Sequence, residues 1–169
     1  MEDNNVLNEF YSKIQSKELN YYKKLAETAI NLGYKPKKDK QKNLSITFSK
    51  NKVKRTILKF YGGDDNGKGK SAKGTCFKLK FYANKEYSEV FNKSIKKEIE
   101  IFNFKYVGCY GCGRCKDKKL GYNIKYDDGR IYFRCGFELI PIETISDDIV
   151  NETIKLMEIQ DKAFLEELI

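Results

Sequence analysis

Three cysteines recur at intervals of three residues, Cys109, Cys112 and Cys115, in the stretch GCYGCGRC, and a fourth, Cys135, lies in YFRCG. Thiols at such spacing with glycines between them are not core patterning, because a buried cysteine acts as a small hydrophobe and follows the period of its helix or strand. Two cysteines two residues apart can clasp one metal ion from a tight turn, and Gly111 and Gly113 let the backbone bend around the ion and aim amides at sulfur. A four-sulfur site built this way ties the loop carrying the first three cysteines to whatever element carries Cys135. It therefore fixes the path of the chain over residues 107–137.

The chain contains no histidine. That removes the commonest nitrogen ligand and the commonest general base together. The opening residues, MEDNNVLNEF, lack the basic start and apolar stretch of a signal peptide, and no apolar run approaches the ~18 residues of a membrane span. A cytoplasmic setting without membrane association follows, where clustered cysteines read as metal ligands or redox thiols before disulfides. The expectation is a structural Zn²⁺ held by Cys109, Cys112, Cys115 and Cys135. Four thiolates on Zn²⁺ leave two negative charges, which Arg114, Lys116, Lys118, Lys119 and Arg134 would surround. With every position filled by protein, such a site has no opening for catalysis. A complete zinc ribbon would place a second paired cysteine before Cys135, where Tyr132 stands instead, so the ligand chemistry carries over and the ribbon fold does not.

Two other chemistries use the same residues. A bacterial ferredoxin run places its fourth cysteine, followed by proline, where this chain has Lys119 and Leu120. An iron–sulfur cluster is thus the less favoured metal reading. A thiol–disulfide redox protein would use Cys109 and Cys112, with basic neighbours favouring the thiolate. A thioredoxin-like site needs that pair between a strand and a helix, however, and here it enters a lysine-rich loop and a hairpin. Cys76, some thirty residues upstream on a strand, reads as a bystander.

Net charge is +9, concentrated in residues 35–105, where twenty basic residues face seven acidic ones; residues 146–169 carry two against seven. A basic centre suggests a footprint for nucleic acid or another acidic ligand, on the strand face bearing Lys54, Lys59, Lys78 and Lys80. Only four of the 33 basic residues are arginine, the residue suited to bidentate phosphate and base contacts. Lysine and asparagine enrichment of this kind also arises from base composition alone.

Periodicity supplies the fold. Val6, Phe10 and Ile14, then Leu19, Tyr22, Leu25, Ala26, Ala29 and Ile30, mark an N-terminal helical region that stops at Gly33 ahead of Pro36. Lys35 to Lys42 reads as a charged connector. Alternation predicts strands around Leu44–Phe48, around Thr56, Leu58 and Phe60, and around Phe77, Leu79 and Phe81, with a polar loop over Gly62–Gly74. Tyr87, Phe91, Ile95 and Ile99 predict a central helix of about four turns. Asp128-Gly129 predicts a tight primed turn between Tyr122–Asp127 and Arg130–Cys135, and Leu139–Ile142 extends the sheet. Thr144 to Asp147 resembles a capping start for a last helix that buries Val150, Ile154, Met157, Phe164, Leu165 and Leu168. The expected architecture is a single α+β domain over residues 1–169. Its largely antiparallel sheet of five to six strands is packed by N-terminal, central and C-terminal helices, with residues 107–137 as a metal-stapled sub-element.

Catalysis finds little purchase in the sequence. Gly69-Lys70-Ser71 matches the end of a phosphate-binding loop, but Asp64 occupies the first glycine position and a strand follows in place of a helix. No pair of carboxylates declares itself for acid–base work. The functional expectation is a non-enzymatic, zinc-stapled binding module.

Overall fold

The computed structural model describes residues 2–41, 43–62, 74–115 and 118–167. Its elements in order are α1 (Glu2–Tyr11), α2 (Ser16–Asn31), β1 (Lys35–Lys38), β2 (Ser45–Lys50), β3 (Arg55–Tyr61), β4 (Cys76–Leu79), α3 (Glu89–Glu100), β5 (Gly121–Lys125), β6 (Ile131–Cys135), β7 (Ile140–Ile142) and α4 (Asp147–Glu166). Strands β1-β2-β3-β4-β7 form one sheet, antiparallel at every pairing, and β5-β6 form a separate two-stranded sheet. The α+β class and the antiparallel sheet expected from the sequence are both present.

The apolar face of the large sheet is set by register. Ile46, Phe60, Phe77 and Ile142 line one row across four strands, and Phe48, Leu58, Leu79 and Ile140 line the next, all fully buried or nearly so. Phe60 is the hub beneath the N-terminal helices. Its ring lies 5.1 Å from Phe10 of α1, 5.1 Å from Tyr22 of α2 and 4.9 Å from Phe48, arrangements that aromatic quadrupoles favour. A second hub, Phe81, follows the end of β4 and touches Tyr87, Phe91 of α3 and Tyr122 of β5 at centroid distances of 5.1, 5.3 and 4.9 Å. The Phe81 amide also donates to the Tyr122 hydroxyl at 3.0 Å. This hub fastens the small hairpin to the large sheet.

Three local expectations change. Lys35–Lys38 is an edge strand, not a connector: Pro36 is buried opposite Phe48, and an edge position tolerates a residue with no N–H to give. Thr56 does not share a face with Leu58 and Phe60. The β2–β3 register slips between Phe48 and Ser49, and the extra residue turns the Thr56 hydroxyl to meet Ser49 at 2.9 Å. The hairpin turn is longer than a two-residue primed turn. Tyr126 N–H donates to the Arg130 carbonyl, leaving Asp127, Asp128 and Gly129 between them, with Gly129 at φ +86° in the left-handed position such a loop requires. Leu139–Ile142 extends the sheet as expected, through β7 on β4.

The capping start is borne out, since Ser146 accepts a hydrogen bond from the Ile149 amide at the start of α4. Val150, Met157 and Phe164 are buried on that helix, whereas Ile154 and Leu165 are half-buried. Leu168 lies outside the described residues, as do Lys116, residues 63–73 of the expected polar loop, and with them the Gly69-Lys70-Ser71 match. No described helix is long and apolar enough to cross a membrane.

Candidate metal centre

Between the end of α3 and the start of β5 the described chain has no helix or strand, yet its entry is firmly held. Asn103 and Phe104 both adopt left-handed backbone, at φ +51° and +58°, a costly pair for residues with side chains. What holds them is Phe104, whose ring sits 4.8 Å from Tyr132 and 6.1 Å from Tyr126 on the hairpin. The Arg130 guanidinium lies within 6 Å of all three rings. Next, Gly108 N–H donates to the Phe133 carbonyl at 2.7 Å, which sets Cys109 alongside β6 and its last residue, Cys135.

Arg134 completes this attachment. Its side chain is almost wholly buried, and one terminal nitrogen donates to the Tyr106 carbonyl at 2.7 Å and to the Tyr110 hydroxyl at 3.3 Å. The other terminal nitrogen pairs with Glu138, while Nε has no partner. The guanidinium thus pins the strand leading into the cysteine loop to the strand that carries Cys135.

Cys109, Cys112 and Cys115 line one cavity of about 280 Å³ together with Gly111, Gly113, Lys118 and Lys119. Gly111 and Gly113 sit at φ +63° and +69°, so each bend of the loop uses backbone that glycine alone adopts at little cost. Amides point at two of the sulfurs: Gly111 N–H to Cys109 and Leu120 N–H to Cys115, both at 3.5 Å. Cys109 and Cys112 are exposed, Cys115 half-buried and Cys135 buried, and all four thiols are free. Burial pushes the Cys135 thiol up; the Phe137 amide counters this, and Glu138 and the thiols of Cys112 and Cys115 add to it.

Among the described residues no three cysteine or carboxylate side chains are gathered as a ligand set for a metal ion. Cys76 is buried in β4, where burial raises its thiol to about 12. Its electrostatic neighbours are Lys78, Glu143, Glu98 and Lys97, not the other cysteines, in keeping with a bystander.

Of the four lysines expected on one face, Lys59 and Lys78 stand opposite each other in the β3–β4 register. Lys54 is exposed in the β2–β3 turn. Lys59 pairs with Asp39 at 2.6 Å, and Asp39 also accepts from Ser45 and Thr47. Lys78, opposite Lys59 in the register, lies 5.0 Å over the Tyr61 ring. Lys80 is buried; desolvation, reinforced by Arg55 and Arg114, lowers it to about 8. Strand alternation alone does not reveal this, because it takes no account of an ion pair or of a hairpin covering the end of β4.

The arrangement around Phe137 also escapes the sequence. Its ring lies 4.8 Å from the Arg55 guanidinium, 5.7 Å from the Lys80 ammonium and 5.6 Å from the Arg114 guanidinium. The only available signal is position, two residues beyond Cys135. Compared with models of protein families, with curated proteins and with solved structures, the chain gives no match.

Proposed function

We propose that this chain is a non-enzymatic binding module in which Cys109, Cys112, Cys115 and Cys135 hold one structural Zn²⁺. The observation that carries the reading is the pair of backbone amides aimed at the sulfurs of Cys109 and Cys115. An amide donor stabilises a thiolate far more than a thiol, and a ligated thiolate is the species such a loop is built to receive. The shared cavity supports it, since the three loop thiols need only rotate and close by the freedom of Gly111 and Gly113. Zinc suits a soft, all-sulfur, tetrahedral set, and the ion would draw the loop onto β6.

The test is metal content and an absorption spectrum on protein purified under reducing, oxygen-free conditions. One colourless zinc per chain is expected, lost in Cys112→Ser. The exposure of Cys109 and Cys112 favours a second reading, a thiol–disulfide redox protein. Metal-free protein with thiols that reduce a disulfide substrate establishes that reading and removes the first. A brown, iron-containing sample replaces zinc with an iron–sulfur cluster.

A further inference from the structure

Three cations converge on one phenylalanine: Arg55 from β3, Lys80 from beyond the end of β4, and Arg114 from the cysteine loop all lie within 6 Å of the Phe137 ring. One aromatic quadrupole attracts one cation by a modest amount and does not offset the mutual repulsion of three. The nearby carboxylates are few. Glu167 is paired with Arg55 at 3.3 Å, and it also accepts from the Tyr82 hydroxyl. Glu138 is paired with Arg134, the buried cation next to Cys135. Among the described residues that these contacts join, four cations face two carboxylates, an excess of two positive charges.

Two positive charges match, with opposite sign, a divalent ion bound by four thiolates. The thiols occupy the right place. Arg134 precedes Cys135 and Arg114 precedes Cys115 in the chain. Phe137, whose ring carries the other cations, lies two residues beyond Cys135. We propose that Arg55, Lys80 and Arg114, gathered around Phe137, together with Arg134, which precedes Cys135, are the counter-charge collar of a dianionic metal–tetrathiolate centre and fasten the cysteine loop to the large sheet when the metal is bound. This rests on the zinc reading above. It adds that two residues of the large sheet region, Arg55 and Lys80, set metal affinity without touching the metal. All-thiol protein leaves the collar unbalanced, so metal loading and loop docking become one event.

Lys80→Met and Arg55→Met each remove a cation while keeping an apolar stem, and Arg55→Lys keeps the charge. Zinc affinity is measured for each full-length protein by competition with a chelating dye, and the ligand field by Co²⁺ substitution. The expected result is about tenfold weaker zinc for either methionine variant, near-normal affinity for Arg55→Lys, and an unchanged cobalt spectrum throughout. Wild-type protein that takes up no zinc removes the parent reading and the collar with it. If wild type binds one zinc and the methionine variants bind it equally well, the collar alone falls. A methionine variant with an altered cobalt spectrum also refutes it, because the residue then shapes the ligand set and does not balance its charge.

Discussion

The ion pair between Lys50 and Asp161 ties the end of β2 to α4 in a nearly dry setting. The Lys50 ammonium donates to both carboxylate oxygens, at 2.8 and 3.1 Å, with side-chain exposures of only 14% and 9%. Tyr34, just after α2, donates its hydroxyl to the same carboxylate at 2.8 Å, and its ring lies 5.3 Å below the ammonium. Burial and the carboxylate push the Tyr34 hydroxyl well above its ordinary range, so it remains a donor at any pH the protein meets. Lys50→Met keeps the stem that packs against Gly33 and deletes the charge, leaving Asp161 buried with one neutral donor. Breaking a buried pair from one side costs about 3–5 kcal/mol, and the surviving tyrosine bond places this case near 3 kcal/mol. For a chain of this size that lowers the Tm by roughly 6–12 °C. Adding Asp161→Asn removes the stranded charge yet keeps an acceptor for Tyr34, so the double variant recovers about 2 kcal/mol. The assay is urea unfolding at neutral pH, with the midpoint shifting and the m value unchanged. A Lys50→Met protein within about 1 kcal/mol of wild type, or strictly additive substitutions, refutes the reasoning.

Two further outcomes follow from buried groups elsewhere. Burial raises Glu98 on α3 to about 7, against an ordinary 4.5, with Arg134 and Lys78 opposing the shift. The folded state therefore holds a proton that the unfolded chain has released, so this stabilisation is complete below pH ~4.5 and is lost as pH rises through about 7, by roughly 3 kcal/mol in all. Glu98→Gln should flatten that fall in a series of unfolding midpoints from pH ~4.5 to ~8, and a parallel decline in the variant would falsify the assignment. At Gly121, opposite Cys135 in the register, a Cβ would run into the Arg134 carbonyl and the Phe133 ring. Gly121→Ala should cost about 1–3 kcal/mol and weaken metal uptake, and an unperturbed protein by both measures would contradict the close hairpin pairing.

The sequence revealed most where one period dominates. Phe77 and Leu79, or Val150 and Met157, repeat at the spacing of their element, and burial follows directly. It misled where a local irregularity intervenes. The bulge that turns Thr56 around inserts one residue without any glycine or proline to announce it. Pro36 looked like punctuation and is the buried residue of an edge strand. At the candidate site, spacing named the four cysteines but not their support. Arg134 stands opposite buried Tyr122 in the hairpin, and Tyr106, Tyr110 and Glu138 come from the preceding loop and the following turn to bind its charge. Contacts between segments so separated leave no periodic trace.

The division of labour between the two sheets bears on what metal loss can do. The Phe60 hub of the β1-β2-β3-β4-β7 sheet is built from α1, α2 and β2. The β5-β6 hairpin, by contrast, is only two strands, a form marginal in water by itself. Its anchors are Tyr122 at the Phe81 hub, Phe104 with the two tyrosines, and the Arg134 clamp. A structural zinc would add on the order of 10 kcal/mol of apparent binding energy, delivered to this hairpin and its loop. Chelation should therefore deprotect the amides of residues 107–115 and β6 in hydrogen exchange while those of β2 and β3 stay slow. Uniform loss of protection across both sheets on chelation refutes the separation. Protection unchanged everywhere means that the aromatic anchors and Arg134 hold the loop without metal.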